Sequence, residues 1–212
     1  MRTLLHCCCG PCASACAPAL RRKGHDAALF YSNSNIAPAE EFSRRLDSLR
    51  ILAEADGLEC IVDPPDHADW LAKVAAGLEG EPEKGARCAL CWRYSLERTA
   101  RYAAANGFDA FATSLTVSPH KPSAAVFAAG RAASQAAGGI PFLEEDFKKK
   151  GGFAVSVERS RALGLYRQSW CGCEFSRRAC AAAGRTLVKE AKEAPPAEVR
   201  PREASRTPRT PA

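Results

Sequence analysis

Residues 3–32 read TLLHCCCGPCASACAPALRRKGHDAALFYS. Two apolar runs, TLLH and AALFYS, enclose small residues followed by a basic stretch and Gly24. The runs predict strands. The segment between them predicts a helix over about 13–25 that ends near Gly24. Strand, helix, strand in so short a span is the unit of a parallel sheet. The first turn of this unit holds four cysteines, Cys7, Cys8, Cys9 and Cys12. Neighbours on a strand point to opposite faces. Three consecutive cysteines are therefore not a packing pattern, and they point to chemistry or to metal.

The alternation continues. PAEEFSRRLDSLRILAEADG carries Phe42, Leu46, Leu49 and Leu52 at helical spacing and stops at Gly57. LECIVD follows as a strand and HADWLAKVAAGL as a helix. ALCWRYSLERTARYAAANG is a long helix ending at Gly107, and DAFATSL is a strand after it. PSAAVFAAGRAASQAAGG is a fifth helix leading into IPFLE. The pattern predicts one α/β domain over residues 1–185, with a mostly parallel sheet flanked by helices in a Rossmann-like or HUP-like arrangement. No internal repeat is visible. In open parallel sheets ligands sit at the carboxyl ends of the strands. The cysteine cluster begins where the first strand ends. Gly10 and Pro11 turn the chain, and Cys12 falls near the next helix start, where a thiolate is stabilised. FATSLTVSPHK ends the fourth strand in the same way and is expected to line the same crevice.

Composition narrows the class. The chain has 212 residues, 46% hydrophobic, enough for one domain with a substantial core. No apolar run approaches the roughly 20 residues of a membrane span, and the run after Arg2 is too short for a secretion signal. The reading is a cytoplasmic protein. Eleven cysteines, clustered, favour metal ligation or redox chemistry over a disulfide framework. The net charge of +6 is compatible with a nucleic-acid partner. From Arg185 onward seven Lys/Arg stand against four Glu, half of that net charge. This stretch, rich in Pro, Ala and charge, is expected to be a disordered tail over 186–212.

Three groups of thiols stand out. The first is Cys8–Cys9 with Cys7 and Cys12 beside them. The second is RCALCW, a CxxC of Cys88 and Cys91 opening a helix. The third is WCGC, a CxC of Cys171 and Cys173 in a Gly-containing loop. Each alone is a weak signal. Together they fit a soft-metal site, iron–sulfur or zinc, or thiol redox chemistry. Cys16, Cys60 and Cys180 read as small core residues.

LLHCCCGPC, FSRRLDSL, RCALCWRYSLERTA, FATSLTVSPHK and EEDFKKKGGFAVSVERSRALGLYRQSWCGCEFS resemble, in order and spacing, the motifs of the QueH-type epoxyqueuosine reductases. The resemblance runs from about residue 3 to residue 178. It implies reduction of the epoxide of epoxyqueuosine, at the wobble position of tRNA, to the alkene of queuosine. It implies a [4Fe–4S] cluster without cobalamin, with an additional iron associated with the site, and an electron donor as a further partner. It implies cluster ligation by Cys8, Cys9, Cys88 and Cys91, with Cys171 and Cys173 as a redox-active disulfide pair. Cys7 falls on a variable position and is not carried over.

The polar neighbours are read beside this. DFKKKGGF is either a solvated turn or a working segment, with Asp146 at the metal or epoxide and Lys148, Lys149 and Lys150 on tRNA phosphates. Tyr166, Arg167, Gln168 and Trp170 crowd the CxC and suggest a pocket for an extruded base. Asp146, Tyr166 and Arg167 thus join Cys171 and Cys173 as candidate catalytic groups. Ser118 and His120 join the substrate-binding candidates. His6 and His120, as single histidines, are more often structural than ligating. Thr113, Ser114 and Ser118 hold substrate hydroxyls or satisfy the strand end. Two other readings compete. An ATP-dependent tRNA-modifying enzyme of this fold class needs a pyrophosphate loop where CCCGPC stands, and CCCGPC is not one. A zinc-containing RNA-binding module would carry no chemistry.

Overall fold

β1 (Arg2–His6) is buried from Thr3 onward and lies in the middle of the sheet. A computed structural model describes residues 1–185; the expected tail over 186–212 lies outside the described residues. The order β3-β2-β1-β4 unites β1 with β2 (Asp26–Tyr31), β3 (Cys60–Val62) and β4 (Ala110–Thr113), all parallel. Leu4 stands opposite Ala28 on one side and Phe111 on the other. IPFLE, which follows the fifth helix, contributes only an isolated bridge from Phe142 to Phe111. Pro141 at its start has no N–H to donate to a ladder.

Alternation along the strands builds two cores. Leu5 and Cys7 face α1 (Gly10–Arg22) and α2 (Ala39–Asp56), packing with Leu20, Leu46, Leu49 and Leu52. Leu4, Phe30 and Phe111 face α4 (Ala86–Ala105) and α5 (Ser123–Ala136), packing with Trp92, Leu96 and Val126. Each fully buried leucine contributes about 1.5–3 kcal/mol. α3 (His67–Trp70) runs into a π turn (Leu71–Ala75) between β3 and α4. No described helix is long and apolar enough to cross a membrane.

α6 (Gly152–Ala162) completes the α1 face. Pro18 lies within α1 and has no N–H for the Ser14 carbonyl. Arg159 of α6 supplies the missing donor, with Nη1 2.6 Å from that carbonyl, and its guanidinium also grips Asp56 of α2. One arginine thus offsets the helix defect and joins three helices. α7 (Glu174–Ala182) closes the described chain.

Candidate functional site

The chain passes from β1 through β2 to β3 in one direction, then returns to place β4 on the far side of β1. The crevice between the carboxyl ends of β1 and β4 is therefore the topological switch point, where open parallel sheets bind ligands. His6 ends β1 there. Its Nδ1 pairs with Thr113 Oγ1 at 2.9 Å and its Nε2 with the Ser32 carbonyl at 3.1 Å, so both ring nitrogens are committed. Burial lowers its pKa. His6 is structural.

Just beyond it, the thiols of Cys8, Cys9 and Cys12 lie within 4.8 Å of one another. Cys9 caps α1 with extended backbone, and Pro11 occupies the first turn. A Cβ on Gly10 would run into the Ser48 carbonyl of α2, so only glycine allows this approach. Cys8 Sγ is 3.8 Å from Cys9 Sγ and 3.9 Å from Ser114 Oγ, at the end of β4. Hydrogen bonds from Cys12 and Cys8 hold the Cys9 thiol well below the ordinary range against the opposing effect of burial; Gln168 and the charge of Arg45 add to the lowering. Cys12 is raised in exchange, by its hydrogen bonds to Cys8 and Cys9. The group thus presents one thiolate-prone sulfur flanked by two more, a donor set suited to a soft metal. Cys7 points the other way, buried in the core with its thiol on the Leu5 carbonyl. Cys16 is buried as expected, and Cys180 likewise; Cys60 is half-buried on β3.

A second group gathers the two other motifs. Cys88 and Cys91 are spaced three residues apart on the first turns of α4. Burial raises the Cys91 thiol well above its usual value, and the charges of Cys171 and Cys173 add to the effect. Burial likewise raises Cys88, with Cys171 contributing, and pushes Cys173 up to about 11. Burial thus favours the protonated form of Cys88, Cys91 and Cys173. The Trp70 indole N–H is buried against this group with no nitrogen or oxygen acceptor.

Two cations border both groups. Arg45 is 1% exposed and ion-paired with Glu41 at 2.6 Å, and its charge acts on Cys9 and Cys171. Burial works to discharge the Lys121 ammonium, but the charges of Cys171, Cys8, Cys12 and Cys9 outweigh it and hold the proton on. Neither residue stood among the sequence candidates. Glu41 and Arg45 carry a signal all the same, because they occupy the same helical face as Leu49 and Leu52.

The remaining candidates divide. Gln168 Nε2 donates to Cys9 Sγ at 3.1 Å, and its Oε1 is buried without a partner. Asp146 has a buried Oδ1, also without a partner, beside backbone pinned to Thr116 at the end of β4. Tyr166 donates to Glu41, and Arg167 reaches back to Ser160 of α6. Trp170 is buried beneath the Arg45 guanidinium. Lys148 Nζ bonds the Lys121 carbonyl at 2.6 Å, a structural tie, whereas Lys149 and Lys150 are exposed. His120 is exposed and Ser118 half-buried, with Ser118 Oγ accepting from the His120 N–H.

An open parallel sheet with two thiol groups about its switch point defines an α/β protein of the thiol-rich, metal-competent class. A family model described as epoxyqueuosine reductase QueH matches residues 3–179. The chain belongs to that family of oxidoreductases. Curated proteins of the same name are similar to it. That of Acinetobacter baylyi is 34% identical over 177 residues, covering 84% of this chain and 81% of its own. That of Histophilus somni is 32% identical, covering 84% and 72%. That of Dehalococcoides mccartyi is 34% identical, covering 82% and 92%. Among solved structures, one described as a predicted subunit of tRNA methyltransferase from Methanocaldococcus jannaschii superposes with a TM-score of 0.53. It covers 88% of this chain and 90% of its own at 13% identity, a likeness of fold alone.

Proposed function

We propose that the protein is a cytoplasmic epoxyqueuosine reductase that converts epoxyqueuosine at the wobble position of tRNA to queuosine. The observation that carries this reading is the gathering of Cys8, Cys9 and Cys12 within 4.8 Å at the switch point of the sheet. Opening an epoxide to an alkene takes two electrons and two protons, and the oxygen leaves as water. A [4Fe–4S] cluster with an additional iron, held by these sulfurs, would supply single electrons and a Lewis acid for the departing oxygen.

The chain's own residues do the rest. Cys8 and Cys9, with Cys88 and Cys91, are the ligand set the family likeness implies. Cys12 joins them as a third sulfur of the first group. Cys171 and Cys173 form the dithiol of the second group. Lys121, held protonated by the sulfur charges of both groups, supplies a counter-charge to them. Asp146 Oδ1 and Gln168 Oε1, buried and unpartnered, are acceptors left open for iron or for substrate hydroxyls. Lys149 and Lys150 meet tRNA phosphates, and an external donor renews the electrons.

Anaerobic purification tests the reading. The expected protein is brown, absorbs near about 400 nm, contains iron and sulfide, and yields queuosine from epoxyqueuosine-tRNA with a chemical reductant. A colourless zinc protein without turnover would select the RNA-binding module instead.

A further inference from the structure

The CxC loop looks free in the sequence, with glycine at its centre, but the carbonyls of Trp170, Cys171 and Gly172 are all engaged. The Trp170 carbonyl accepts from Arg45 Nη2 at 3.2 Å and the Cys171 carbonyl from Arg45 Nη1 at 2.8 Å. The Cys171 N–H donates to Ser176 Oγ at 3.0 Å, and the Gly172 carbonyl accepts from the Ala37 N–H at 3.0 Å. Gly172 has φ of +129°, and a Cβ there would lie 3.0 Å from Arg45 Nη1 and from Ile36 Cγ1. At the near end of the same segment, Gln168 Nε2 touches Cys9 Sγ. A single buried fork thus grips two successive carbonyls of a loop that begins on Cys9.

We propose that Arg45 is a positioning residue: its guanidinium locks the Trp170–Gly172 backbone against α2 and so fixes where Cys171 stands relative to Cys9. The energetics favour such a role over mere packing. A fully buried arginine is costly unless every donor face is used. Here Nε is spent on Glu41 and both terminal nitrogens on the loop. Glu41 is held in turn by the Tyr166 hydroxyl at 3.0 Å, which places Tyr166 in the same frame rather than at the reacting atoms. A lysine would keep the charge but cannot span two carbonyls and a carboxylate at once. The inference deepens the proposed function, yet its test needs neither metal nor turnover.

The experiment uses reduced, metal-free full chain and follows alkylation of Cys171 and Cys88 by peptide mass spectrometry in the same sample. Both thiols are half-buried in the native protein. General loosening speeds both, whereas release of the loop speeds Cys171 alone. In Arg45→Lys the Cys171 to Cys88 rate ratio is expected to rise about tenfold, the loss of one charge-assisted hydrogen bond. Gly172→Ala attacks the same contact from the loop side, its Cβ pressing on Arg45 Nη1 and its φ of +129° disfavouring any side chain, and it serves as the second variant if Arg45→Lys does not fold. An unchanged ratio in the folded variants overturns the proposal, as does wild-type behaviour of Arg45→Lys beside a released Arg45→Met, which would make charge rather than the fork the cause. In the iron-loaded enzyme, a lower kcat with unchanged KM for tRNA is the matching result.

Discussion

Cys12 and Cys16 stand one helical turn apart on α1 and have different surroundings. Cys12 places its sulfur with those of Cys8 and Cys9, whereas Cys16 is fully buried in the core and donates to the Cys12 carbonyl at 3.1 Å. Iron per chain separates the two. Cys12→Ala is expected to lower it to less than about half the wild-type level, because a ligand sulfur has no substitute at that position. Cys16→Ala is expected to keep the iron and lose about 1 kcal/mol of stability. Full iron in Cys12→Ala would leave Cys8 and Cys9 without that third partner.

His6 makes a second prediction, set by pH. Burial holds its folded pKa below the ordinary histidine value of 6.5. The unfolded chain therefore binds the proton more readily. The resulting stability is fully present above about pH 6.5 and is lost as pH falls through the folded value. Chemical denaturation at pH 7.5, 6.5 and 5.5 should show stability falling over the lower interval and nearly flat over the upper one. A flat profile down to pH 5.5 would mean that the folded chain binds the His6 proton as readily as the unfolded one.

At the scale of elements, the approach of α1 to α2 rests on Gly10. Gly10→Ala must push the start of α1 away from the Ser48 carbonyl, and overpacking of this kind costs about 1–3 kcal/mol. The melting temperature is expected to fall by about 5 °C, with the Cys8–Cys9–Cys12 spacing disturbed in step. Iron loss alongside the lower melting temperature is the readout; iron kept at wild-type level would show that α1 can shift without moving its cap. The main strands and helices on both faces were legible because their leucines and aromatics repeat with period 2 or 3.6. α6 and α7 were not. The buried positions of α6 are Ser156 and Ser160, and those of α7 are Ser176 and Cys180, which carry no apolar rhythm. The three cysteine motifs marked the site, but their sorting into a group on α1 and another between α4 and the CxC loop is long-range and has no linear trace. Arg45 and Lys121 escaped for the same reason: a buried cation is recognised by what surrounds it.

At the scale of the molecule, both thiol groups converge about one end of the sheet, so a polyanionic substrate must approach that end. The family match stops at residue 179, and the element order ends with α7 at Ala182. A chain ending at Arg185 therefore retains every strand and helix of the described residues. Its melting temperature is expected to stay within about 2 °C of the full chain, with iron content unchanged. The removed stretch carries Lys189, Lys192, Arg200, Arg202, Arg206 and Arg209. Every phosphate that these side chains neutralise in the full chain adds about 0.7–0.9 to the slope of log affinity against log salt, and truncation takes that increment away. The truncated chain should therefore bind tRNA more weakly at low salt, with the difference closing as salt rises. Equal affinity at every salt concentration would assign tRNA binding entirely to residues 1–185, and a large fall in melting temperature would show that the core depends on what was removed.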